Sequence, residues 1–201
     1  MAAGLICIVQ RTKPFAVAEK VVNFAINHKD SFIALDLADN EEGFDPKVFA
    51  PLFQKAKKAG LHITVHSGET PNDQAAQWVK DSVEILGAER IGHGIQIVRD
   101  PKILEFIREQ KIPLECCPIS NYLTQSFKTY EEHPLRKLMN AGIQITINSD
   151  DPGIFATTLS DDYAIAHQVH GFTVADFRKC NQTAFNASFL PEKEKFRSEF
   201  F

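Results

Sequence analysis

The stretch His62-Ile63-Thr64-Val65-His66-Ser67-Gly68-Glu69 decides how this chain is read. Its β-branched centre reads as a strand, and that strand runs straight into a turn bearing an imidazole, a hydroxyl and a carboxylate. The pattern recurs three times. Arg90–His93 ends in Gly92-His93-Gly94, Pro113–Cys117 leads into Pro118-Ile119-Ser120-Asn121, and Gln144–Asn148 leads into Ser149-Asp150-Asp151-Pro152. Leu5–Gln10 and Phe32–Leu37 bring the candidate strands to six. Reactive groups at the carboxyl ends of several different strands are the layout of a parallel (β/α)8 barrel enzyme.

Amphipathic segments of helical length separate the strands: Lys13–Asn27, Pro46–Lys58, Asp73–Leu86, Asp100–Gln110 and His133–Asn140. Several open with Pro at or just before the first turn. Strands separated by whole helices are parallel, and crossovers of one hand curl such a sheet toward a barrel. A doubly wound sheet is the rival. It would gather its ligand signal at one switch point with a Gly-rich turn, whereas here the signals follow four strands and no G-x-G-x-x-G occurs.

The 201 residues, 44% hydrophobic, suffice for one domain around one core. A formal charge of −4 with scattered Lys and Arg points to neither nucleic acid nor a membrane, leaving a small solvated substrate as partner. No apolar run is long enough to span a bilayer, and Met1–Val9 lacks a positive leader, so a cytoplasmic protein is expected. Cys7, Cys116, Cys117 and Cys180 form no CxxC pair and read as reduced packing residues. In the helical tail from Phe172, the residues Phe177, Phe185, Phe189 and Phe196 are expected to cover the outside of the barrel.

His66 and Glu69 can face one substrate across the Ser67-Gly68 turn. Neutral imidazole is a zinc ligand, and a carboxyl group beside a zinc-bound water moves protons without coordinating; the alternative is a capped turn with a solvated Glu. His62 shares the strand face of His66, but four strand residues span roughly 13 Å and zinc–nitrogen bonds are about 2 Å, which places His62 at the opposite end or in solvent. Asp150 and Asp151 repel each other, so at a buried strand end one suits a metal and the other a substrate donor; the alternative is a cap on the helix after Pro152. His93, between two glycines, has room beside it for a ligand and suits the orientation or deprotonation of a metal-bound water, or else is structural. Ser120 and Asn121 offer further polar groups or turn caps. His167 and His170, one helical turn apart, read as a solvated face.

Together HSGE at His66–Glu69, RIGHG at Arg90–Gly94, CPISN at Cys117–Asn121 and NSDDPGIF at Asn148–Phe155 resemble the adenosine deaminase family of zinc-dependent barrel hydrolases. The similarity runs from about Leu5, through Asp36-Leu37-Ala38, to Ser188-Phe189-Leu190-Pro191. The resemblance implies zinc ligation by His66 and Asp150, proton donation to a purine ring by Glu69, orientation of the attacking hydroxide by His93, and a substrate contact from Asp151. It implies hydrolysis of adenosine or 2′-deoxyadenosine to the inosine product and ammonia, as in purine salvage. Cytidine-type deaminases carry H-x-E and P-C-x-x-C signatures, which are absent. Gly92 before His93 looks more like adenosine than adenine deaminases, which carry an acidic residue there.

Two departures shape the expectation. The family takes two further zinc ligands from an H-x-H pair on its first strand, and no H-x-H occurs. The fold expected over 1–201 is therefore an incomplete TIM-type (β/α)8 barrel, one partial domain of about six βα units with the first two strands missing. Its zinc shell would be completed by water or another chain, and its open edges invite self-association or a separate N-terminal fragment. Asp39 stands where the family has a Gly whose amide touches the purine, so Asp39 keeps that amide and adds a charge, making it a substrate-binding candidate. The alternatives are an impaired fragment or purine-binding module, or a deaminase of a related 6-aminopurine such as adenine. A metal-free hydrolase pairing Glu69 with Asp150 leaves His66 and His93 without work.

Overall fold

A computed structural model describes residues 3–191 and 193–196. The six strands fall within a residue or two of the expected ones: β1 (Leu5–Gln10), β2 (Phe32–Ala38), β3 (His62–Ser67), β4 (Arg90–His93), β5 (Leu114–Cys116) and β6 (Ile145–Ile147). All pair in parallel, in the order β1-β2-β3-β4-β5-β6. Each strand lies beside its predecessor, so crossovers of one hand lay every helix on one face. The result is an arc of six of a barrel's eight βα units. Among the described residues β1 and β6 each pair on one side only, and Leu5 and Ile8 of β1 are more than half exposed.

The register explains the mixed character of the strands. Leu35, Ile63, Val65, Ile91, Leu114 and Ile145 align across one face of the sheet, and all are buried against the helices. Burying a side chain of this kind contributes about 1.5–3 kcal/mol. The alternate face, the barrel interior, carries Asp36, Thr64, His66, Gly92, Glu115 and Thr146. Strand alternation thus sorts chemistry from core.

The helices follow their local signals. α1 (Phe15–Asn27) buries Ala18, Val22 and Ala25, which recur at spacings of four and three. The expected Pro46–Lys58 helix divides into a 3-10 turn, Pro46–Phe49, and α2 (Ala50–Lys58), with Pro51 just inside the new start. The expected Asp73–Leu86 helix becomes α3 (Ala75–Asp81) continued by a π-helical stretch, Ser82–Leu86, and stopped at left-handed Gly87. Asp100 caps α4 (Pro101–Gln110) by accepting from the amides of Lys102 and Ile103. A short helix α5 (Pro118–Leu123) follows β5, and α6 (Leu135–Asn140) precedes β6. Then come α7 (Pro152–Phe155), α8 (Leu159–Gln168) and α9 (Val174–Ala187), the last opened by a Thr173–Asp176 capping box.

The tail differs from expectation at Phe189. Its ring stacks on His62 at 4.5 Å and lies 4.0 Å beneath the Arg90 guanidinium, so it seals the amino ends of the strands instead of the outer surface. Both partners are interior residues at strand starts, where an aromatic ring shields a cation well. His62 is accordingly at the far end from His66, with its side chain 44% exposed. Phe177 packs against Tyr163 and Phe172, and Phe185 is buried; the Phe196 side chain lies outside the described residues. His170 also departs from a solvated face: it is half-buried beyond the end of α8, its ring 6.0 Å from that of His133. The four cysteines are free, and burial pushes the Cys180 thiol up to about 12. Among the described residues no helix is long and apolar enough to cross a membrane.

Candidate metal centre at the carboxyl ends of the strands

His66, His93 and Asp150 converge at the carboxyl ends of β3, β4 and β6, their ligand atoms within 4.8 Å of one another. They line an open cleft of about 340 Å³ together with Gly92, Glu115, Cys117, Asn148 and Leu159. Two of them occupy left-handed backbone, His93 at φ +66° and Asp150 at φ +56°. Such conformations persist only where the surroundings over-determine them, and they concentrate at functional sites.

Each group is held by a neighbour. Asp36 of β2 places Oδ2 2.7 Å from His66 Nδ1, which leaves Nε2 of that ring for the cleft. Burial works against a charged imidazole here, but Asp36, aided by Asp150 and Glu115, outweighs it and lifts the His66 pKa to about 9. A cation bound at His66 must therefore displace a proton near neutral pH. Ser120 Oγ donates to Asp150 Oδ2 at 2.7 Å. Glu69 Oε1 accepts from Thr124 Oγ1 at 2.7 Å and Asn121 Nδ2 at 3.2 Å, while its Oε2 lies 3.4 Å from His93 Nε2. The glycines beside His93 make room for the protein itself: a Cβ at Gly92 would meet His66 at 3.2 Å, and one at Gly94 would meet Leu114 at 2.6 Å.

The loop that carries Glu69 hangs from one buried carboxylate. Glu41 accepts from the amides of Gly68 at 2.7 Å, Glu69 at 2.8 Å and Thr70 at 3.0 Å, and Gln96 Nε2 donates to the Glu69 carbonyl at 3.1 Å. Beneath it the buried Arg11 guanidinium donates to the carbonyls of Leu37 and His66. Burial lowers the Arg11 pKa, and Glu41, Asp36 and Asp39 counter that by favouring its charge.

The predicted site residues thus divide. His66, Glu69, His93 and Asp150 meet, with Ser120 and Asn121 joining them. Asp39 and Asp151 are exposed and do not line the cleft. Asp39 adopts φ +85°, a conformation glycine takes freely, and holds it by accepting from Thr12 Oγ1 and the Asn40 amide. Asp151 lies at the start of α7 with no side-chain cap bond. Asp36, Glu41, Arg11 and His133 were not singled out by sequence. Asp36 and Glu41 carried one weak signal, a charge at or just beyond a strand end, that a turn explains equally well.

His66 and Asp150 offer an imidazole nitrogen and a carboxylate oxygen, donors that zinc accepts, and the Asp36 carboxylate behind His66 is a familiar support for a ligating histidine. The residues present fit the ion.

The family profile described as adenosine deaminase matches residues 1–198. Adenosine deaminase from Plasmodium knowlesi is 35% identical over 199 residues, which are 98% of this chain and 54% of that protein. The chain thus spans about half the length of the curated relatives it matches. Among solved structures, the adenine deaminase from Arthrobacter aurescens superposes with a TM-score of 0.90 at 26% identity, covering 98% of this chain and 60% of the other. The N6-methyl-AMP deaminase from Arabidopsis thaliana gives 0.86 at 29% identity, covering 98% and 58%. Ordered motifs, site geometry and near-complete alignment of its length agree: this chain belongs to the adenosine deaminase family.

Proposed function

We propose that this chain supplies most of the site of a zinc-dependent aminohydrolase that removes the 6-amino group of adenosine or 2′-deoxyadenosine, releasing ammonia in purine salvage. The observation that carries the reading is the convergence of His66, His93 and Asp150 in one cleft, with the Glu69 carboxylate 3.4 Å from His93 and Asp36 fixed behind His66. His66 and Asp150 would hold the ion. Zinc bound there would supply the chemistry of a water activated for attack at neutral pH. His93 orients the attacking oxygen. Glu69, with Oε1 occupied by Thr124 and Asn121, keeps Oε2 to carry a proton toward a ring nitrogen. Ser120 fixes Asp150. Asp39, through its backbone amide, and Asp151 would contact the substrate from outside the residues that line the cleft.

Catalytic zinc takes three protein ligands as a rule, and His66 with Asp150 are two. The shell would be completed by water or by another polypeptide segment docked along β1 or β6, each of which pairs on one side only among the described residues. The choice of 6-aminopurine is the finer part of the reading. Curated relatives named adenosine deaminase support the nucleoside, and the adenine and N6-methyl-AMP deaminases among the structural neighbours define the competing substrates.

The test is zinc content and ammonia release measured on one sample, with adenosine, 2′-deoxyadenosine, adenine and N6-methyl-AMP as substrates and Glu69→Gln as control. Turnover of adenosine that the variant abolishes supports the reading. Nucleoside binding with zinc but without turnover supports a purine-binding module, and preference for another purine reassigns the substrate.

A further inference from the structure

A chain of three buried side chains reaches the cleft from behind, and its hydrogen-bond logic runs in one direction. It starts at His133, 4% exposed, whose Nδ1 accepts from the Leu135 amide at 3.1 Å. That ring is neutral, because burial, with His170 and His93 nearby, holds its pKa down to about 3. With Nδ1 occupied as an acceptor, the single ring proton of His133 sits on Nε2, 3.1 Å from Asn121 Oδ1.

Asn121 is fully buried, and its carboxamide has only one workable orientation. With Oδ1 on His133, its amino group donates to Glu69 Oε1 at 3.2 Å and faces His93 Nδ1 at 3.1 Å. Turned by 180°, the amide would set its oxygen against a carboxylate oxygen and its amino group against an N–H. Both contacts are repulsive, and a buried polar group left unmatched costs about 1–3 kcal/mol. His93 Nδ1 can then only accept.

We infer that His133 is a positioning residue which, through the Asn121 carboxamide, fixes His93 as the Nε2–H tautomer and turns that N–H into the cleft between Glu69 and Asp150. Glu69 Oε2 lies 3.4 Å and Asp150 Oδ2 4.0 Å from the nitrogen concerned. The consequence separates three groups that distance alone leaves equivalent. His66 and Asp150 offer lone pairs to a cation, whereas His93 offers a donor, so it holds an oxygen nucleophile by hydrogen bond and does not ligate the metal. This deepens the aminohydrolase reading and rests on it only for the chemistry served, since the tautomer belongs to the zinc-free protein.

The experiment is a long-range ¹H–¹⁵N correlation spectrum of the zinc-free chain in mildly alkaline buffer, with the ring signals assigned by comparison with His93→Asn. The expected result is a single His93 tautomer protonated at Nε2. In His133→Leu the Asn121 carbonyl loses its donor, and His93 should show averaged or Nδ1-protonated signals. In His133→Gln a side-chain N–H can again reach Asn121, and the wild-type pattern should return. A wild-type His93 protonated at Nδ1 overturns the inference whether or not the variants fold. So does an unchanged tautomer in a folded His133→Leu. Absence of ammonia release would count against the proposed reaction and leave this spectrum as it stands.

Discussion

The backbone amide of Glu69 donates to the Glu41 carboxylate at 2.8 Å across 28 residues of sequence. A buried carboxylate thereby sets the backbone that carries a half-buried one. Because Glu41 accepts from three amides, Glu41→Gln must offer a donor to at least one of them. A loss of about 1–3 kcal/mol is expected, read as a lower urea midpoint at unchanged slope. An unaltered midpoint would mean that Gln96 and the strand end hold the loop without Glu41.

Asp36 acts on His66 from the barrel interior. Asp36→Asn keeps the shape and removes the charge behind the imidazole, so zinc affinity measured by chelator competition should fall 10–100-fold with the fold retained. Equal affinity would deny Asp36 any part in presenting His66.

Two left-handed glycines test whether the site loop is constrained by packing as well as by backbone. Gly43, at φ +80°, has open space where a Cβ would go, whereas Gly68, at φ +71°, would place a Cβ 2.4 Å from Val79 Cγ2. Gly43→Ala should cost about 1–2 kcal/mol, the left-handed penalty alone. Gly68→Ala should cost clearly more in the same thermal denaturation series, and equal costs would show that Val79 yields without effort.

Asp162 on α8 accepts from the Ile119 amide at 3.0 Å and so ties α8 to the start of α5. Burial raises its carboxyl to about 6 against the Ile119 bond, with Asp161 and Asp150 adding to the rise. The ordinary value is 3.8, so between about pH 4 and 6 the folded protein keeps a proton the unfolded chain has released. Stability therefore declines as pH rises through that window and levels off above it. Asp162→Asn retains the acceptor without the charge. It should exceed wild type by on the order of 2 kcal/mol at pH 7 and match it near pH 4, as read from unfolding midpoints across pH. Parallel curves would show that Asp162 stays ionised in the fold throughout.

The strands were legible because alternating β-branched runs such as Ile63-Thr64-Val65 leave little choice of structure, and the reactive turns because their residues follow those runs directly. His66, Glu69, His93 and Asp150 all came from that one rule. Phe189 was misplaced because hydrophobicity reports that a ring is covered, not by what. Glu41 and His133 were illegible for a deeper reason: each acts through a partner far along the chain or through a third residue, and no local pattern encodes such a contact. The π-helical stretch after Asp81 likewise carries no spacing that distinguishes it from α-helix.

Because every strand pairs with the one immediately before it, the sheet can grow in the order in which the chain is made. β1 and β2 need nothing downstream to dock, and each later βα unit adds to an edge already built. The cleft obeys a different clock. Asp36 is in place early, but Asp150 arrives only after the last strand, when Ser120 can grip it. Architecture accumulates along the length of the chain, whereas the residues of the cleft come together only in a single late step.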